Sequence, residues 1–132
     1  MVNIPENVLK FISDKDVTKI MVTASKDAAP HAIVAGSIGA ASSDTLIIGE
    51  ILMKRASKNL KENSKASFLF VKGLEAYSVD VKVCKRLDCG AELDAMNAAL
   101  AAMNLKASAV WTMSVEAVYD QSANPNAGKK IA

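Results

Sequence analysis

The sequence predicts a mainly β protein: a six-stranded antiparallel barrel with peripheral helices, as a single domain over residues 1–132. Three observations predict it. Strand-like segments follow one another through short turns, which implies antiparallel pairing, and six of them can close a small barrel. Residues 75–87, EAYSVDVKVCKRL, place Tyr77, Val79, Val81 and Val83 on one face and Ser78, Asp80 and Lys82 on the other. That is a strand with one wet face. The regular strand–helix alternation and Gly-rich turn of a Rossmann arrangement are both missing.

The elements follow in order. Pro5, with Val8, Leu9, Phe11 and Ile12 beyond it, predicts a short opening helix, PENVLKFISD. VTKIMVTAS (17–25) is rich in β-branched residues and reads as a strand. KDAAP turns it into a return strand over 31–39, and Gly36 and Gly39 in that strand imply a bend or a close approach by another molecule. TLIIGE (45–50) is a third strand, and a helix over 52–62 follows, with Leu52, Ala56 and Leu60 toward the core. SFLFVKG (67–73) and residues 75–87 are two further strands. A helix over 91–104 carries Leu93, Met96, Leu100 and Met103 on one stripe. ASAVWTMSVEAVYD (107–120) is the last strand, and QSANPNAGKKIA is a polar tail.

Composition excludes several classes. Half the chain is apolar (51%), enough for a real core rather than a disordered segment. A net charge of +2 is too small for a general nucleic-acid binder, and aromatics at 5% are too few for a base-stacking platform. The longest apolar run, AIVAGSIGAA, is about half the length a membrane helix needs. The N-terminal segment lacks the apolar centre of a signal peptide, so the expectation is a cytoplasmic protein without a membrane or nucleic-acid partner. Two cysteines, Cys84 and Cys89, without a second Cys or His pair do not make a zinc site and read as free thiols.

The stretch most open to a chemical reading is EILMKRASKNLKEN, residues 50–63. Lys54, Arg55, Lys58 and Lys61 crowd two helical turns, with only Glu62 beside them. A solvated helix face accounts for this pattern. So does a phosphate: the helix directly follows a strand, cations in a first turn are unfavourable for the helix alone, and a bound anion reverses that sign.

The order of these segments resembles the pyridoxamine 5′-phosphate oxidase-like family, the FMN-binding split barrels. The resemblance rests on TKIMVTASKDAAPHAIVAGS, on TLIIGE, on the basic helix motif at Arg55, Lys58, Asn59 and Leu60, and on Glu62, Asn63 and Ser67 after it. It covers roughly residues 15–83 and extends more loosely to the C-terminus. It implies a split barrel, a homodimer with the site completed by the other subunit, and FMN as cofactor. The phosphate would be held by Arg55 with Lys54 beside it. The flavin ring would lie along the backbone of Val34, Ala35, Gly36 and Ser37 and of Ile48, Gly49 and Glu50. Small residues at 35–37 suit that, because a flat ring against a strand needs exposed backbone.

The Arg-x-His element with which the true oxidase reads its substrate is missing, so the resemblance reaches the family and not the vitamin B6 reaction. It implies a flavin-dependent oxidoreductase acting on a small molecule; the alternatives are a flavin-binding or electron-carrier protein, or a cofactor-free β-barrel interaction module. A deazaflavin or haem in place of FMN also stays open. No catalytic constellation accompanies these residues. His31 is the single histidine and has no ligand partner near it in sequence, and Glu92, Asp94 and Glu116 show no acid–base pairing. Trp111 reads as packing, or as a ring over the flavin.

Overall fold

The computed structural model describes all 132 residues. Eight strands make one antiparallel sheet, with three helices outside it. They run α1 (Glu6–Ser13), β1 (Thr18–Ala24), β2 (Pro30–Val34), β3 (Ile38–Ser42), β4 (Thr45–Gly49), α2 (Lys54–Glu62), β5 (Lys65–Lys72), β6 (Glu75–Leu87), α3 (Ala91–Leu100), β7 (Val110–Asp120) and β8 (Lys129–Lys130). A single 3-10 turn, Ala101–Met103, extends α3. Strand order is β2-β1-β5-β6-β7-β4-β3, with β8 paired to β7. The edge strands β2 and β3 do not pair, so the rolled sheet has an open seam between them.

Binary patterning drives the closure. Along β5, Ala66, Phe68 and Phe70 point inward while Ser67, Leu69 and Val71 are only half-buried. The two Phe rings stack at 6.3 Å and are fully buried. Tyr77, Val79 and Val81 of β6 join them, as their spacing predicts. One cluster of 22 buried residues fills the interior, with Val8 and Ile12 of α1 and Ala56 and Leu60 of α2 included. Register shifts at Asp80/Val81 and Val83/Lys85 interrupt the long β6–β7 ladder. Such bulges increase local twist, which helps a 13-residue strand bend around a barrel.

The structure corrects the sequence reading in four places. The predicted return strand 31–39 is two strands, because the chain leaves β1 at Val34 and pairs Ile38 with Ile48 of β4. The polar tail is not free: Lys129 and Lys130 pair with Asp120 and Tyr119. The strand count is therefore eight rather than six. Leu52 does not face the core. It precedes α2 and is 95% exposed, and Met53 takes the buried place instead. Finally, α3 stops at Leu100, and Asn104 ends the 3-10 turn in the left-handed region, so Met103 leaves the predicted stripe and is exposed.

Candidate functional site

The seam places the site. Residues 35–37 cross from one sheet edge to the other with no ladder of their own. The Ala35 N–H donates to the Lys19 carbonyl at 2.8 Å, and the Ser37 carbonyl accepts from the Gly49 N–H at 3.3 Å. The Gly36 and Ser37 N–H groups between them bond to no other backbone group. The Ser37 hydroxyl donates to the Gly49 carbonyl at 2.8 Å and ties the crossing to the end of β4.

A cavity of about 300 Å³ opens at this crossing, lined by residues 33–37, Ile48, Gly49, residues 51–53, Leu100, Met103 and Leu105. Its size is at the small end for ligand pockets, and its lining is mostly apolar. Around it stand Val34, Leu52, Met103 and Leu105, four of the seven large apolar side chains that the fold leaves exposed.

Next to it lies a groove of about 490 Å³ of opposite character, lined by Glu50, Leu52, Met53, Lys54, Ser57, Lys58, Lys61 and Ser108. The two hollows share Leu52 and Met53 and so adjoin. Lys54, Lys58 and Lys61 recur at helical spacing on one face of α2. The chain's three ion pairs are Lys10–Glu6, Lys72–Asp14 and Arg86–Glu50, so no cation of α2 is neutralised within the chain. The first turn of α2 carries no acidic residue and no side-chain cap. Beneath the lysines, the Ser57 side chain is buried at 6% exposure, and its hydroxyl has no hydrogen-bond partner. An orphaned buried hydroxyl beside uncompensated cations and free helix N–H groups is the donor set of an anion site.

Glu50 lines this groove, and its carboxylate is engaged within the chain. Arg86 donates to both its carboxylate oxygens, at 3.0 and 2.9 Å, Trp111 Nε1 donates at 2.7 Å, and the Ser108 hydroxyl at 3.1 Å. The Arg86 hydrogen bonds are the largest influence holding the carboxyl at about 2, below its usual 4.5. Burial opposes that shift, and Trp111, Ser57 and Ser108 reinforce it. The Ser57 hydroxyl does so from nearby, without a hydrogen bond to the carboxylate. Arg86 also lies 5.9 Å over the Trp111 ring. This network locks the ends of β4, β6 and β7 together behind the groove. Trp111 is buried at 2% exposure, so packing is its role, with one polar tie.

Of the residues that the resemblance implied, Val34, Ala35, Gly36, Ser37, Ile48 and Gly49 come together on the apolar cavity. Glu50 and Lys54 line the groove. Arg55, beside Lys54 in the first turn of α2, is exposed and lines neither hollow. Sequence reasoning missed Ser57, whose burial depends on tertiary packing, and the wall supplied by Leu100, Met103 and Leu105. It noted Lys58 and Lys61 as cations without assigning them; their spacing from Lys54 was the available signal. His31 lies outside both hollows. Cys84 and Cys89 are free and exposed, and no group of three or more His, Cys, Asp or Glu is placed to hold a metal ion. A larger trough of about 650 Å³ crosses β1, β5 and β6. Its charges are mixed, Lys65 and Lys82 against Asp80 and Glu116, and Asp80 already accepts from Ser67 at 2.9 Å.

No protein-family model matches the chain, and no curated protein matches it by sequence. Solved structures do. HupZ of Group A Streptococcus superposes with a TM-score of 0.81 at 20% identity, over 95% of this chain and 99% of that one. An FMN-binding protein from Syntrophomonas wolfei gives 0.82 at 16% identity, over 90% and 86%. A candidate pyridoxamine 5′-phosphate oxidase from Lactobacillus delbrueckii gives 0.74 at 17%, over 89% and 93%.

The chain has the pyridoxamine 5′-phosphate oxidase-like split-barrel fold.

Split barrels matching this chain also include an F420 reductase and HutZ, a heme storage protein from Vibrio cholerae, both at a TM-score of 0.64. The fold therefore does not choose the cofactor, and the residues of the two hollows must. No helix of this split barrel is long and apolar enough to cross a membrane.

Within the split barrel, Gly49 has a packing duty as well as a place on the cavity. A Cβ there would stand 3.1 Å from Met96 Cγ, 3.2 Å from its sulfur and 3.3 Å from Ala107 Cβ. Gly49→Ala is therefore expected to push α3 off β4 and to cost about 1–2 kcal/mol in thermal or denaturant unfolding. An unchanged midpoint would mean that Met96 simply moves aside.

Proposed function

We propose that this protein binds FMN, with the isoalloxazine ring in the apolar cavity at the seam and the phosphate in the cationic groove on α2. The observation that carries this reading is the adjacency of the two hollows. An apolar pocket with unbonded backbone N–H groups meets, at Leu52 and Met53, a groove of three unpaired lysines over an orphaned buried hydroxyl. A ligand matching both is a flat ring joined by a short chain to a phosphate. Lys54, Lys58, Ser57 and the free N–H groups of the first turn of α2 would hold the phosphate, with Arg55 adjoining on the same turn. The Gly36 and Ser37 N–H groups are free to donate to ring heteroatoms. The likeness in fold to an FMN-binding protein supports the same reading.

Bound FMN supplies electron transfer to or from a small molecule, and the protein's part is to bind, orient and shield the ring. The proposal extends to a flavin-dependent oxidoreductase of the cytoplasm, working as a homodimer whose second subunit covers the seam. Nothing in the two hollows favours haem: the one histidine, His31, lines neither.

The test is an absorbance spectrum of the purified protein before and after incubation with excess FMN and desalting. Retained flavin bands at about one per chain support the reading. A protein that stays colourless with FMN, or that takes up only haem or F420, sinks it. With flavin in place, oxidation of NADH or NADPH in the presence of candidate acceptors distinguishes an enzyme from a carrier.

A further inference from the structure

Leu52 is anomalous in three ways. It is a leucine with φ of +51°, in the left-handed region that a branched side chain rarely adopts. Its side chain is 95% exposed, so no burial within the chain compensates the backbone cost. And it lines both hollows, at the point where they meet. A strained, exposed, apolar residue at the junction of an apolar pocket and an anion groove gains a packing partner only from something lying across that junction.

We infer that Leu52 is a ligand-packing residue that closes over the join between ring and phosphate chain of the bound flavin, and so sets how far apart those two parts must be. The inference rests on the FMN reading above. Its place in the lining of both hollows points to the occupant, because a ligand reaching from the ring pocket to the lysines passes over this side chain. Met103 and Leu105 also line the ring pocket, at 62% and 41% exposure, and add to its exposed apolar surface. A compact phosphate ester, with its phosphate directly beside a small ring, cannot fill both hollows and leaves Leu52 uncovered.

Two substitutions separate this role from backbone strain. Leu52→Gly and Leu52→Asn both tolerate a positive φ, and both remove the apolar side chain. The expected result is a melting temperature no lower than that of the unsubstituted protein, together with FMN affinity reduced roughly 10- to 100-fold in both variants, the scale of one lost leucine contact. FMN titration by quenching of flavin fluorescence reads the affinity, and sedimentation reads the oligomeric state. Unchanged affinity in both variants overturns the inference while the FMN reading stands. A loss in Leu52→Gly alone reports chain flexibility and also overturns it. A shift in oligomeric state, with or without loss of affinity, means that a second copy covers Leu52, and this again overturns it. If the unsubstituted protein does not bind FMN, the FMN reading fails first and the inference with it.

Discussion

Replacing both Lys54 and Lys58 by Glu is expected to lower FMN affinity at least about a hundredfold while leaving the cofactor-free fold intact. Each charge-assisted contact to a phosphate contributes about 1.5–3 kcal/mol, so losing two reaches or passes that figure before the repulsion of the new carboxylates is added. The fold should tolerate the change, because both lysines are exposed and neither takes part in an ion pair. A glutamate at position 54 even favours the helix, since it places a negative charge at the positive end of the α2 dipole. Stability and affinity should therefore move independently, which thermal unfolding and FMN titration of the same preparations would reveal. The lost affinity should also weaken the dependence of binding on salt. Retained affinity in the double variant would remove the groove from the binding site and return the cations to the status of a solvated face.

Arg86→Ala should produce the largest loss of stability outside the hydrophobic core. It leaves the Glu50 carboxylate with Trp111 and Ser108 but without its bidentate partner. Breaking a fully buried ion pair costs about 3–5 kcal/mol. Here the side chains are 29% and 15% exposed, so about 2 kcal/mol is the fitting figure, or roughly 6–10 °C in melting temperature at this chain length.

The pH profile identifies the cause. Glu50 has its folded-state pKa lowered to about 2 from 4.5, so its contribution is fully present above about pH 4.5 and is lost as the pH falls toward 2. Unsubstituted protein should show that acid slope, and Arg86→Ala should flatten it. Glu50→Gln combined with Arg86→Ala should cost less than the sum of the two single changes, because the removed groups interact. Additive losses and an unchanged acid slope would show that Arg86 acts through packing on Trp111 alone.

Much of the fold was legible because alternation along a strand is a local property. Residues 75–87 read as a strand from their spacing, and β6 has those same limits. β5 and α2 differ from expectation only at their ends. The chain from 31 to 42 was not legible. Nothing in HAIVAGSIG separates a single bent strand from two strands on opposite sheet edges, since both are apolar, extended and interrupted by glycine. The choice depends on which neighbour offers a free edge, and that is a long-range fact. The tail was misread for the same reason. Lys129 and Lys130 look solvated, and they are exposed, yet their backbone finds an open stretch of β7.

The candidate site divides along the same line. The chain's residue order by itself determined a β-rich fold class, the basic α2 and the small residues at 35–37, because composition and periodicity act through neighbours in sequence. Only the tertiary structure decided that Ser57 is buried without a partner, that Glu50 is held by Arg86 and Trp111, and that Leu52 stands exposed between the two hollows. Burial and pairing depend on groups dozens of residues apart: Glu50 meets Trp111 across 61 positions. Local patterning names the side chains available to a site; closure of the sheet determines which of them are left without partners.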